Sequence, residues 1–253
     1  MSAPPFLEVE DVWRRFGGFV ALSSINASFA RDRVTAIIGP NGAGKSTFFN
    51  VLSGALAPSQ GSIRFKGKNL AGLPQHRFAH IGIARSYQIT NIFPLLTVHE
   101  NVRLGVQAFH ARYDIWTHRA RGRALDERAD AALAAVGLID KGSRAAKLLS
   151  HGEQRALEVA IALAADPELL LLDEPTAGMG AEETKSMVAL IERLAADRSI
   201  LLVEHKMKMV LGLSDRILVL HHGRLIADGA PREVQADPEV RRVYLGGGGD
   251  SRA

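Results

Sequence analysis

The chain has 253 residues, no cysteine and a formal net charge of +4, which is ample length for one large domain with a buried core and excludes a disulfide framework or a thiolate zinc site. Its apolar runs at residues 169–172 and 200–203 fall far short of the roughly 18 residues of a membrane helix, and residues 1–15 lack the apolar core of a secretory signal, so the expectation is a chain that neither spans a bilayer nor is exported. The densest basic stretch, residues 112–128, is broken by Asp114, Asp126 and Glu127 and reads as a solvated helix face, with a docking role as the alternative, and not as a nucleic-acid surface.

Near the N-terminus, Ile25, Ala27 and Phe29 alternate with Asn26 and Ser28, and Ile63 and Phe65 alternate with Arg64 and Lys66; both predict half-buried strands. Residues 34–38, Val-Thr-Ala-Ile-Ile, are nearly all apolar and run into glycines, as a strand covered on both faces would. A helix is expected next, with Phe48, Val51 and Leu52 on one face. From residue 90 to 148 the pattern is mostly helical, with residues 126–136 rich in alanine and charge and no strand evident. Helical composition over 153–165, a buried strand at 169–172, a helix over 181–196 and another buried strand at 200–203 complete a strand-helix alternation that implies an α/β core with a parallel sheet. Residues 217–220 and 225–226 flank His221-His-Gly-Arg224 as a hairpin. Asp237-Pro238 starts a last short helix that Gly246 closes, and residues 246–253 form a glycine-rich tail expected to be disordered.

Three motifs carry chemistry. Gly39-Pro-Asn-Gly-Ala-Gly-Lys-Ser46 fits the phosphate-binding loop Gly-x-x-x-x-Gly-Lys-Ser and stands between a buried strand and a helix, where such a loop must lie. The loop from Gly39 through Pro40, Asn41, Gly42, Ala43 and Gly44 to Lys45 would turn the backbone N–H groups of its residues other than Pro40 into a nest for phosphate, with a helix N-terminus behind it. Lys45 would reach the β- and γ-phosphates, Ser46 would ligate Mg²⁺ and Thr47 would support the loop. The run Leu169-Leu-Leu-Leu172 delivers Asp173 and Glu174 at the C-terminal end of a strand, where open α/β sheets bind ligands. Asp173 fits a carboxylate that holds Mg²⁺ and Glu174 a general base acting on water. In Leu149-Ser-His-Gly-Glu-Gln-Arg155, Ser150 and Glu153 have capping-box spacing. A capped helix N-terminus with Gly152 permitting close approach also suits a γ-phosphate.

In this order the motifs resemble those of the ATP-binding subunits of ABC transporters, over essentially the whole chain to about residue 245. The resemblance implies a P-loop NTPase (RecA-like) α/β core with an N-terminal antiparallel β-subdomain and an inserted helical subdomain: core at about 1–88 and 166–245, insertion at about 89–165. It also implies ATP and Mg²⁺ as ligands. Gln88, in Arg85-Ser-Tyr-Gln88, matches the glutamine that senses Mg²⁺ and the γ-phosphate; His205, in Leu202-Val-Glu-His205, matches the histidine on the γ-phosphate; Phe16 matches the aromatic that stacks on adenine, with Phe19 nearby as the alternative. The signature of such proteins usually reads Leu-Ser-Gly-Gly-Gln, whereas His151 and Glu153 stand here at its third and fifth positions, with Ser150 and Gly152 retained. After Glu174, relatives often carry an acid where this chain has Gly180, so no side chain there can reach across a dimer.

Members of the family bind two ATP molecules in a head-to-tail dimer, each between the Lys45 loop of one subunit and the Ser150 segment of the other. The partners implied are a second such ATPase, identical or not, transmembrane permease subunits and, indirectly, a periplasmic binding protein, with the chain peripheral on the cytoplasmic face of the membrane. Within the family, residues 83–102, 202–209 and the ending Val243-Tyr-Leu-Gly246 resemble importers of branched-chain and other hydrophobic amino acids; urea-import and lipopolysaccharide-export ATPases are similar in the same stretches. A non-transport ABC ATPase would carry a long coiled coil or two ATP modules. Here Lys45 and Ser150 are 105 positions apart with no sustained heptads. A small-molecule kinase would lack the Ser150 segment and His205.

Overall fold

The computed structural model describes residues 5–31, 33–86, 92–110 and 120–245. Two compact units divide the chain: residues 1–75 together with 199–253, and residues 76–198.

In the first unit, β1 (Leu7–Phe16), β2 (Phe19–Phe29), β4 (Gln60–Phe65) and β5 (Lys68–Asn69) form an antiparallel sheet in the order β2-β1-β4-β5. The alternations at residues 25–29 and 63–65 are parts of β2 and β4, with Ile25, Phe29, Ile63 and Phe65 buried. β1 was not evident in the sequence because its period breaks. Leu7 and Val9 are buried, but Asp11 takes φ 46 and the ladder to β2 shifts register between Val9 and Val12, so the inward face resumes one residue late.

The same unit holds β3 (Val34–Ile38), buried at all five positions and followed by α1 (Lys45–Leu52). β3 lies parallel to both β8 (Ser199–Val203) and β9 (Arg216–His221), and β10 (Arg224–Gly229) completes the order β10-β9-β3-β8 by closing the expected hairpin with β9. Burial on both faces explains the unbroken apolar runs. α1 buries Phe48, Phe49, Val51 and Leu52, each such side chain contributing on the order of 1.5–3 kcal/mol of hydrophobic stabilisation. Three short helices follow: α7 (Met207–Leu213), α8 (Pro231–Ala236) and α9 (Pro238–Leu245), the last starting at Pro238 as expected. The closing Gly246 and the tail lie outside the described residues.

In the second unit, α2 (His76–His80) leads to β6 (Ile83–Ser86), which pairs in parallel with β7 (Leu169–Asp173). Between them come α3 (Val98–His110), α4 (Ala120–Val136) and α5 (His151–Leu163), and α6 (Ala181–Leu194) follows β7. α3 presents Val98, Val102 and Val106 at helical spacing, all fully buried, and α4 buries Ala129, Leu133 and Val136, the stripe expected of helices packed on one another. A Cβ on Gly105 would stand 3.3 Å from Cβ of Ala164, so its absence lets α3 and α5 approach closely. Among the described residues of 90–148 the extended pairing is a single bridge, Thr97 with Ala145. Residues 112–119 of the basic stretch lie outside the described residues; residues 120–128 begin α4.

Candidate active site

The phosphate loop joins β3 to α1 and is clamped by backbone. The Gly223 N–H donates to Ala43 O at 2.9 Å and the Ser23 N–H to Gly223 O at 2.8 Å, tying the loop to the β9–β10 turn and to β2. Two of its glycines are required by space as well as by φ. Gly39 has φ 155 and a Cβ there would lie 2.2 Å from Leu220 O; Gly44 has φ 98 and a Cβ would lie 2.8 Å from Ala21 O, both closer than side-chain atoms are found. Gly44 is also the N-cap of α1, and no side chain caps that helix. Its first N–H groups are thus left to the loop and whatever it binds.

Lys45 is 9% exposed, and its ammonium donates to the carbonyls of Gly39 at 2.8 Å and Pro40 at 3.0 Å. The cation is folded over the loop's own oxygens, whose place anionic phosphate oxygens would take with stronger, charge-assisted bonds. Ser46 is exposed in the first turn, while Asn41 and Gly42 are exposed at the loop's crest. Gly39 also donates its N–H to the Tyr244 hydroxyl from α9, and burial pushes that phenol up to about 12. Tyr244 lies some two hundred positions from the loop in sequence, and the fold brings it there.

Two further expected residues lie in this unit. Phe16, at the end of β1, is 44% exposed with the Arg14 guanidinium 4.5 Å from its ring centroid, and it pairs across the hairpin with Phe19, 66% exposed. Both rings remain open to a ligand. His205 is exposed just beyond β8, next to the fully buried Glu204, whose carboxylate accepts the His205 N–H at 3.2 Å.

In the second unit, β7 carries Asp173 to its last position. The side chain is 5% exposed and accepts from Nη2 of Arg85 on β6 at 2.7 Å. A buried carboxylate costs several kcal/mol to desolvate unless it is paired, so Arg85 is what lets an acid end this apolar strand. The sequence signal for this pairing is an arginine within the short, largely buried strand β6. Glu174 follows with φ 46, a left-handed conformation that a non-glycine residue keeps only where surroundings impose it and that clusters at functional positions. Gln88 lies outside the described residues.

The Ser150 segment opens α5 with the expected capping box: the Glu153 N–H donates to Ser150 Oγ at 3.3 Å and the Ser150 N–H to Glu153 Oε2 at 3.0 Å. Lys141 also pairs with Glu153, and this contact, with the Ser150 N–H, holds the carboxyl below the usual range. Glu153, read as a signature position, here caps its own helix. The Gly152 N–H donates to Oε1 of Glu183 at 3.0 Å, a partner from α6 that sequence spacing did not reveal.

A family model described as ABC transporter matches residues 22–177, and one described as branched-chain amino acid ATP-binding cassette transporter matches residues 224–250. The chain is 39% identical to the high-affinity branched-chain amino acid transport ATP-binding protein LivG of Escherichia coli K12, over 96% of this chain and 98% of that one. It is 37% identical to BraF of Pseudomonas aeruginosa, a protein of the same description, with the same coverage. The fold superposes on a crystal structure of an ABC transporter's ATP-binding cassette in its ADP conformation with a TM-score of 0.84, at 29% identity over 96% of this chain and 99% of that one. The expected architecture, a P-loop core with an antiparallel β-subdomain and a helical subdomain, is that of these relatives. The chain belongs to the ABC transporter family, as an ATP-hydrolysing cassette of the branched-chain amino acid type.

Proposed function

We propose that the chain is the motor of an importer for branched-chain or related amino acids, binding ATP between two cassettes and hydrolysing it to drive permease subunits in the membrane. The observation that carries the nucleotide assignment is the phosphate loop itself, with an uncapped helix N-terminus, two glycines that space requires and a lysine folded over the loop. The cargo assignment rests on the relatives and on the match at residues 224–250. Among the described residues no helix is long and apolar enough to cross a membrane.

In this reading the loop from Gly39 to Lys45 holds the β- and γ-phosphates, Thr47 steadies it, and Phe16, or Phe19 in its place, stacks on adenine. Asp173, fixed by Arg85, is a hard oxygen donor of the kind that suits Mg²⁺, and Ser46 and Gln88 are assigned to the same ion by the family resemblance alone. Mg²⁺ held there would neutralise charge on the β- and γ-oxygens. Glu174 orients the attacking water and takes its proton, and His205 donates to the γ-phosphate. Ser150, Gly152 and Glu153 form the surface met by the ATP of the second cassette. ATP then favours closure because it contacts both surfaces only in the closed state, and loss of the γ-phosphate removes the preference.

Exposed apolar side chains support a docking role for the insertion at 89–165. Phe93, Leu95 and Leu148 are 57%, 76% and 67% exposed on segments joined by the bonds from Lys147 N–H to Pro94 O and from Ala146 N–H to Leu96 O. Such a cluster fits a short helix of a membrane subunit. The nucleotide reading is tested by phosphate release: the purified chain should liberate inorganic phosphate from ATP with no phosphorylated acceptor. Transfer of the phosphoryl group to a small molecule would favour a kinase instead.

A further inference from the structure

The segment that opens α5 and the loop that follows Glu174 are joined by one side chain. Glu183, in the first turn of α6, accepts the Gly152 N–H on Oε1 at 3.0 Å and the Gly180 N–H on Oε2 at 3.3 Å. Each carboxylate oxygen thus holds one loop, and both N–H groups belong to helix N-termini whose dipoles favour a negative charge there. The two loops meet at a second point. A Cβ on Gly178, which has φ 74, would stand 3.3 Å from Cε1 of His151. The bulky third residue of the Ser150 segment is therefore matched by a glycine opposite, and a Cβ on Gly152 would in turn stand 3.0 Å from Oε1 of Glu183.

We propose that Glu183 is a positioning residue for ATP hydrolysis: its carboxylate clips the Ser150–Gly152 segment to the loop running from Glu174 to Gly180, so that the two are presented as one piece. The consequence follows from which ATP each part serves. In the shared-site reading on which this rests, Ser150 and Gly152 meet the partner subunit's ATP while Glu174 acts on the chain's own. The clip then passes engagement of one ATP to the base that hydrolyses the other. Glu183 itself contacts neither nucleotide.

The test uses the full chain carrying Glu174→Gln, alone and combined with Glu183→Ala or Glu183→Gln. Sedimentation with ATP measures the dimer, and calorimetric titration with ADP measures the site within one chain. Glu183→Ala should weaken ATP-driven dimerisation about tenfold or more, as expected from losing hydrogen bonds to a charged group, with ADP affinity unchanged. Glu183→Gln keeps one acceptor oxygen and should fall in between. Unchanged dimerisation in Glu183→Ala would overturn the clip, as would equal losses of dimerisation and ADP affinity, which would mark a merely structural role. If Glu174→Gln with Glu183 intact never dimerises, the shared-site reading fails instead, and the clip as proposed falls with it.

Discussion

The start of α1 and the start of α5 are both helix N-termini assigned to phosphate, yet they are finished differently. α1 begins at Gly44 with no side-chain cap, and its loop is braced from outside by Gly223 and by Leu220. α5 begins at Ser150 with a full capping box, and Glu183 holds the next N–H as well. An anion site that must take nucleotide from solution needs open donors on a rigid frame, because ordering a loop on binding would subtract from affinity. A site that meets phosphate only when another subunit brings it must remain stable while empty, and internal carboxylates supply the missing acceptors. The contrast is what separate binding and closing steps require.

This contrast can be broken at several points. The largest expected effect is on chemistry: Glu174→Gln keeps the size of the side chain but cannot accept the proton, so phosphate release should fall by about 10²–10⁴ while ATP binding survives. Next comes Lys45→Ala, which removes the cation over the loop; calorimetry should show ATP affinity reduced to near loss, by about 1.5–3 kcal/mol or more, without an equal loss in α5. Ser150→Ala should lower unfolding free energy by about 1 kcal/mol, as loss of a cap does, in chemical denaturation without nucleotide. A stability loss of that kind is not expected from uncapping α1, which has no cap to lose.

The smallest effect is a pH dependence at the loop's brace. Tyr244 titrates near 12 in the folded chain against 10.0 for an unperturbed phenol. The folded state therefore holds the proton more tightly, and the stability it contributes is complete below pH 10 and is lost as pH rises towards 12. Tyr244→Phe should flatten that decline in denaturation measured across the window.

Legibility followed the physics of each element. Strands buried on both faces, such as β3, β7 and β8, announce themselves as apolar runs, and the loop at Gly39–Ser46 carries its own spacing. β1 did not, because the bulge at Asp11 resets its alternation. α7 and α8 are too short for a helical period to register. At the site, contiguous motifs single out Lys45, Asp173 and Glu174 as candidates, and the capping pair Ser150 and Glu153 is formed as its spacing predicts. Arg85, Glu183 and Tyr244 were not read as partners. Arg85 reaches Asp173 across 88 positions and Glu183 reaches Gly152 across 31, so only the fold brings them together.

The central claim is that each ATP is completed by two chains, and the order of hydrolysis in protein concentration tests it most directly. Phosphate release at saturating ATP should be measured from nanomolar to micromolar protein. The account predicts that the rate rises more steeply than the first power of concentration until dimers saturate. A rate strictly proportional to protein down to nanomolar levels would contradict it.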